Sequence, residues 1–184
     1  MKLCNIAIIS LMIQSVLWPL NAVPNAGDPY IIINKRTNQL AFIEGGEIEE
    51  TYHVATGKTE LLTPEGEFTV IVKAIRPYYR KLDIKGGDPK NPLGSRWIGF
   101  DAENTNGRVY GIHGTNRPES IGRHISNGCI RMKNEEVNQL FEKTIPGTKV
   151  WIESSPKSIS QIVNERGLRY GDKPYYLEED LKSL

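Results

Sequence analysis

Cysteine and histidine are scarce in this 184-residue chain, with two of the first and three of the second. No CxxC or HxxxH spacing occurs, so a closed set of metal ligands has little support. Charge of one sign is missing too: 23 Lys and Arg stand against 22 Asp and Glu, without a run of five like charges. That balance excludes the basic excess or stripe of a nucleic-acid binder. No repeat or low-complexity tract is visible. Hydrophobic residues make up 39% with Tyr counted and Gly left out. Counting Gly in place of Tyr gives roughly 44%, close to the globular norm, which argues against disorder, collagen and coiled coil. The length suits one ordinary domain with appendages.

A long hydrophobic run occurs once, from Ile6 to Trp18 inside Met1–Ala22. Lys2 precedes it, Pro19 breaks it, and Ala22 offers a small residue before a cut. This three-part layout predicts a secretory signal over residues 1–22, with an uncleaved anchor as the alternative. The run is too short to cross about 30 Å of hydrocarbon as a helix. Export to the periplasm, cell wall or medium follows as the expectation. Cleavage would remove Lys2 and Cys4 and leave Cys129 as the lone cysteine. A lone thiol in an exported protein is buried and inert, paired with another chain, or reactive.

Residues 28–153 read as a mainly β domain. Tyr30 to Asn34, Gln39 to Glu44, Ile48 to Ala55, Phe68 to Ile75, Trp97 to Phe100, Val109 to His113 and Lys149 to Ile152 are predicted strands. Gly45-Gly46 joins two of them as a hairpin. Val137, Leu140 and Phe141 share one face of a predicted helix from Asn134, as its cap, to Lys143. Pro77 to Arg96 lacks periodicity and reads as a long loop, of the kind that tends to be functional. Residues 154–184 form an extension with a weak helix signal over Ser158 to Arg166.

The chemistry concentrates in His113 to Met132, HGTNRPESIGRHISNGCIRM. Cys129 follows Asn127-Gly128, an approach that presents a side chain at a turn and lets amide N–H groups converge. A thiolate nucleophile needs a base or a cation nearby. By spacing, His113 and His124 are near equals as that base, with His53 behind them.

His113-Gly114-Thr115 and Ser126-Asn127-Gly128-Cys129-Ile130-Arg131-Met132 resemble the signature of YkuD-type L,D-transpeptidases. Thr63-Pro64-Glu65-Gly66-Glu67-Phe68 and Asn91-Pro92-Leu93-Gly94 add to the likeness, which covers Pro29 to Ile152. The resemblance implies a sandwich- or barrel-like mixed sheet with one or two helices that remodels peptidoglycan stem peptides. Cys129 would attack a tetrapeptide stem, D-Ala would leave, and an amine would resolve the thioester to a 3→3 cross-link. His113 would be the base, the Gly114 carbonyl would orient it, and amides around Gly128 and Cys129 would hold the oxyanion. Arg131 would bind a substrate carboxylate, with Ser126, Asn127 and Gly128 also at the substrate. The resemblance implies no metal or organic cofactor, and acylation by carbapenem β-lactams and a monomeric state are further expectations. Many members carry His where this chain has Asn127. The resemblance leaves His124 a supporting or surface role and His53 a structural one. An L,D-carboxypeptidase and a non-catalytic wall-binding module are the competing functions. In the blander readings, Arg131 pairs with Glu135, and Trp97 and Trp151 simply pack.

Overall fold

The computed structural model describes residues 27–169; the expected signal segment and the chain beyond Arg169 lie outside them. The strands are β1 (Tyr30–Asn34), β2 (Gln39–Glu44), β3 (Glu47–His53), β4 (Thr56–Gly57), β5 (Gly66–Ile75), β6 (Arg96–Phe100), β7 (Tyr110–His113), β8 (His124–Ser126), β9 (Ile130–Arg131) and β10 (Lys149–Glu153). Two helices accompany them, α1 (Asn134–Lys143) and α2 (Ile159–Glu165). Eight strands make one curled mixed sheet in the order β3-β2-β1-β10-β5-β6-β7-β9, while β4 and β8 pair separately.

Why β1 is an unbroken apolar run follows from its place between two apolar layers. Ile31 and Ile33 face the main core with Leu40, Phe42, Ile98, Ile112, Ile130 and the buried stripe of α1. Tyr30 and Ile32 face the other way, against Ile159, Ile162 and Val163 of α2. One helix thus packs on each face, and the extension is part of the fold at least through α2. A capping box explains where α2 starts: the Ser158 side chain accepts from the Gln161 N–H while the Gln161 side chain accepts from the Ser158 N–H. Arg166 anchors the end of α2, with its guanidinium 3.6 Å from the Trp151 ring centroid and 2.8 Å from Glu67.

The long strands follow the pattern read from the sequence to within a residue or two at their ends. The Gly45-Gly46 turn has φ of 60° and 80°, the left-handed geometry that suits a tight hairpin. Three short strands carry no signal in the sequence. β4, β8 and β9 have two or three residues each, too few to show a period. The cap of α1 needs correction: Lys133 occupies that position, and no side chain caps the first turn. Asn134 has another task.

If α2 is integral to the folding unit, Ile162→Ala should lower the unfolding free energy by roughly 2–5 kcal/mol in a urea titration. Ser158→Ala should cost about 1 kcal/mol through the lost cap. No effect from Ile162→Ala would show that α2 rides on the domain without supporting it.

Candidate active site

Two adjacent parallel strands bring the chemistry together. β7 and β9 pair with His113 opposite Arg131 and Ile112 opposite Ile130. Because strand side chains alternate, Ile112 and Ile130 enter the core while His113 and Arg131 share the other face. Cys129 immediately precedes β9. Its thiol donates to the Val109 carbonyl at 3.3 Å, and the Gly111 N–H hydrogen-bonds the sulfur. Cys129 and His113 thereby line one short stretch of the sheet face, supported from below by a loop that lies far away in the sequence.

That support is the Thr63-Pro64 turn. The Thr63 hydroxyl donates to the Gly128 carbonyl at 3.0 Å and accepts the Gly57 N–H at 2.9 Å. Buried Lys35 holds the same loop, donating to the Glu60 and Thr63 carbonyls and pairing with Glu65 at 2.9 Å. Gly128 has φ of +123°, and a Cβ there would collide with the Leu62 carbonyl. Only glycine fits the approach to the cysteine.

Within the 126–129 turn, Ser126 is buried and fully engaged. Its hydroxyl donates to the Cys129 carbonyl at 2.6 Å and accepts the Gly128 N–H at 3.0 Å. The Ser126 hydroxyl and the Gly128 amide, which the resemblance sets at the substrate, shape the turn through these bonds. Asn127 is exposed at its top.

His113 is buried, and its Nδ1 lies 2.5 Å from the Gly114 carbonyl. A carbonyl can only accept, so Nδ1 carries the proton and Nε2 keeps its lone pair. The sequence does not disclose how firmly this is held. A Cβ on either Gly94 or Gly114 would land on Asn134 Oδ1. Asn134 accepts the Ser95 N–H at 3.1 Å through Oδ1 and donates to the Thr115 carbonyl at 3.0 Å through Nδ2. It bridges the 91–95 turn to the peptide that orients the histidine. The ring's other partner is Trp97, paired with His113 across β6 and β7 and stacked on it at 5.5 Å and 17°. The indole N–H donates to the Gly107 carbonyl at 2.8 Å, and its ring fills the space that a Gly111 side chain would need. Trp97 is thus packed, as expected, but packed on the candidate base.

His124 lies elsewhere. Its Nδ1 is 3.1 Å from the Thr56 hydroxyl and its Nε2 3.2 Å from Asn38 Nδ2, so it pins β8 to β4. His53 is exposed on β3. Arg131 forms no ion pair with a carboxylate of the described residues, Glu135 included, and its charge acts on both Cys129 and His113.

Burial sets the protonation states. It pushes the Cys129 thiol up to about 11, against the lowering pull of the Gly111 N–H and the Arg131 charge. It pulls the His113 imidazole down to about 4, against the Gly114 and Leu93 carbonyls that favour the protonated ring. At neutral pH the pair is a thiol and a neutral imidazole, with the base form of histidine ready to accept. A cavity of about 640 Å³ opens over Cys129, bounded by Leu93, Trp97, Val109 and Tyr79 among others.

Alkylation by iodoacetamide should therefore accelerate through pH 9–11, with no plateau at lower pH, since only the thiolate reacts. Arg131→Met removes a charge that favours thiolate and should move the profile further up. A plateau with a midpoint below pH 7 would mean a preformed thiolate–imidazolium pair instead.

Comparison with known proteins places this arrangement. The model of the YkuD family, the L,D-transpeptidase catalytic domain, matches residues 28–152. YqjB of Bacillus subtilis, which carries the L,D-transpeptidase name, is 58% identical over 163 residues, 89% of this chain and 90% of the relative. YkuD of the same organism is 35% identical over 135 residues, 71% of this chain and 72% of the relative. The fold matches the catalytic domain of the Enterococcus faecium L,D-transpeptidase with a TM-score of 0.54 at 23% identity, over 69% of this chain and 98% of that one. An L,D-transpeptidase from Mycobacterium smegmatis matches with a TM-score of 0.55 at 17% identity, over 70% of this chain and 59% of that one. With the family model spanning the whole sheet and the Cys129–His113 face, the chain belongs to the YkuD family of L,D-transpeptidase catalytic domains.

Proposed function

We propose that the protein is an exported cysteine L,D-transpeptidase that cuts the terminal D-Ala from peptidoglycan tetrapeptide stems and joins the remaining acyl group to an amine. The observation that carries this reading is the His113 ring, locked by Gly114 with its basic nitrogen unprotonated on the sheet face that presents Cys129. A pure wall-binding module has no use for a thiol beside an oriented base. The Met1–Ala22 pattern supports export, because such a segment directs a chain across the membrane.

In the first half-reaction the Cys129 sulfur bonds to the stem carbonyl as His113 Nε2 takes its proton. The negative charge moves to the carbonyl oxygen, where the Cys129 N–H would receive it, the Gly128 N–H being engaged by Ser126. Collapse breaks the C–N bond, His113 returns the proton to the departing D-Ala amine, and a thioester remains. In the second half-reaction an amine of a neighbouring stem attacks the thioester and gives its proton to His113. The thiol reforms and a 3→3 link results. Water in place of the amine would make the protein an L,D-carboxypeptidase. Carbapenems present a comparable strained carbonyl to the thiol; among the solved structures of similar fold, one L,D-transpeptidase is in complex with imipenem.

Mass spectrometry of products from Val23–Leu184 and disaccharide-tetrapeptide tests the proposal. Cross-linked dimer is expected, or exchange when a D-amino acid is added, and Cys129→Ala should abolish both. Tripeptide alone would indicate the carboxypeptidase, and no product from folded protein would contradict the reading. Asn134→Ala should lower kcat roughly 10- to 100-fold with little change in KM, because loosening the Gly114 peptide misplaces the base.

A further inference from the structure

The cavity above Cys129 has a one-sided charge. Its walls include Lys73, Arg80, Lys81 and Arg108, and neither Asp nor Glu contributes. Lys73 is already engaged, its ammonium donating to the Phe141 and Thr144 carbonyls at the end of α1. Arg80, Lys81 and Arg108 are exposed and make no ion pair with a carboxylate of the described residues. Across the chain 23 cations are matched by 22 anions, so three unmatched cations around one cavity depart from the average surface.

Their placement is ordered. Arg80 and Lys81 sit in a single 3-10 turn, Arg80–Leu82, closed by backbone bonds of 2.9 and 3.1 Å between Tyr79 and Ile84. Buried Asn91 ties this excursion down, donating to the Pro77 and Lys85 carbonyls at 2.8 and 3.1 Å and accepting the Leu93 N–H at 2.9 Å. Arg108 comes from a different segment of the chain, next to Val109, whose carbonyl receives the Cys129 thiol. Cations from two separate loops thus converge on the space that a substrate of Cys129 must enter.

We propose that Arg80, Lys81 and Arg108 read carboxylates on the donor stem, so that this site selects stems whose internal carboxyl groups are free over stems in which they are amides. This rests on the transpeptidase reading above and adds the substrate's charge to it. Guanidinium groups suit carboxylates through paired N–H donors, and the shared positive field draws an anionic peptide toward the nucleophile. None of the three touches the reacting atoms, so they act on binding more than on chemistry.

The test compares two synthetic tetrapeptide stems that both end in D-Ala and differ only in a free or an amidated internal carboxyl group. The wild-type protein should show kcat/KM roughly 10-fold higher for the free acid, with the preference carried by KM and shrinking as salt rises. The Arg80→Gln, Lys81→Gln, Arg108→Gln variant should bring the ratio near one, while Arg80→Lys with Arg108→Lys should keep most of it. Equal rates on both stems in the wild type, a preference for the amide, or an unchanged ratio in the neutralised variant would overturn the proposal alone. Turnover of neither stem, with Cys129 still alkylated at its usual rate, would overturn the transpeptidase reading and this proposal with it.

Discussion

One hydrogen bond organises this site: the His113 Nδ1–H donated to the carbonyl of the next residue, Gly114. A ring bonded to its neighbour's carbonyl cannot use that nitrogen as a base, and the remaining nitrogen becomes the basic one. Much of the surrounding structure serves to hold that carbonyl and that ring in place. Gly94 and Gly114 lack side chains so that Asn134 can reach in between them. Asn134 then joins the two segments through Ser95 and Thr115. Trp97 supports the ring through stacking, and its own indole is fixed by Gly107. The orienting group is a backbone carbonyl, so its aim depends on how the chain packs around it rather than on a rotamer.

Burial is what makes such a pair useful and what constrains it. The same desolvation raises the Cys129 thiol and lowers the His113 imidazole, so both are neutral before reaction. A neutral imidazole can take a proton as the sulfur attacks, and the Arg131 charge and Gly111 N–H favour the sulfur as it becomes anionic. The single turn Ser126–Cys129 is held rigid by its own serine, which explains why a short, glycine-containing segment can place a nucleophile reproducibly. Below it, Thr63 and Lys35 connect the turn to β1 and the domain's core.

The sequence discloses those features that rest on local pattern. The run Tyr30 to Asn34, the Gly45-Gly46 hairpin and the stripe Val137, Leu140, Phe141 each reflect a period or a turn residue that acts within a few positions. Cys129 and His113 stand out because the residues around them are unusual and together resemble a family. Composition does not disclose contacts made across the sheet. Trp97 is read only as packing because nothing local reveals that β6 places it opposite His113. Asn134 looks like a cap because it opens a helix, while its true partners lie 39 and 19 residues away. Ser126 is set at the substrate by the family resemblance alone, and only the folded turn reveals that its hydroxyl also bonds the Cys129 carbonyl and the Gly128 N–H. Spacing leaves His113 and His124 as near equals. Strand pairing separates them, by setting one beside β9 and the other against Thr56.

Nitrogen-15 NMR of the histidine ring tests the central claim most directly. If the Gly114 carbonyl fixes His113, its Nδ1 should be protonated and its Nε2 bare from pH 8 down to about 5, with the ring taking its second proton only near pH 4. An Nε2-protonated ring, or a titration at or above the ordinary histidine value of about 6.5, would contradict it.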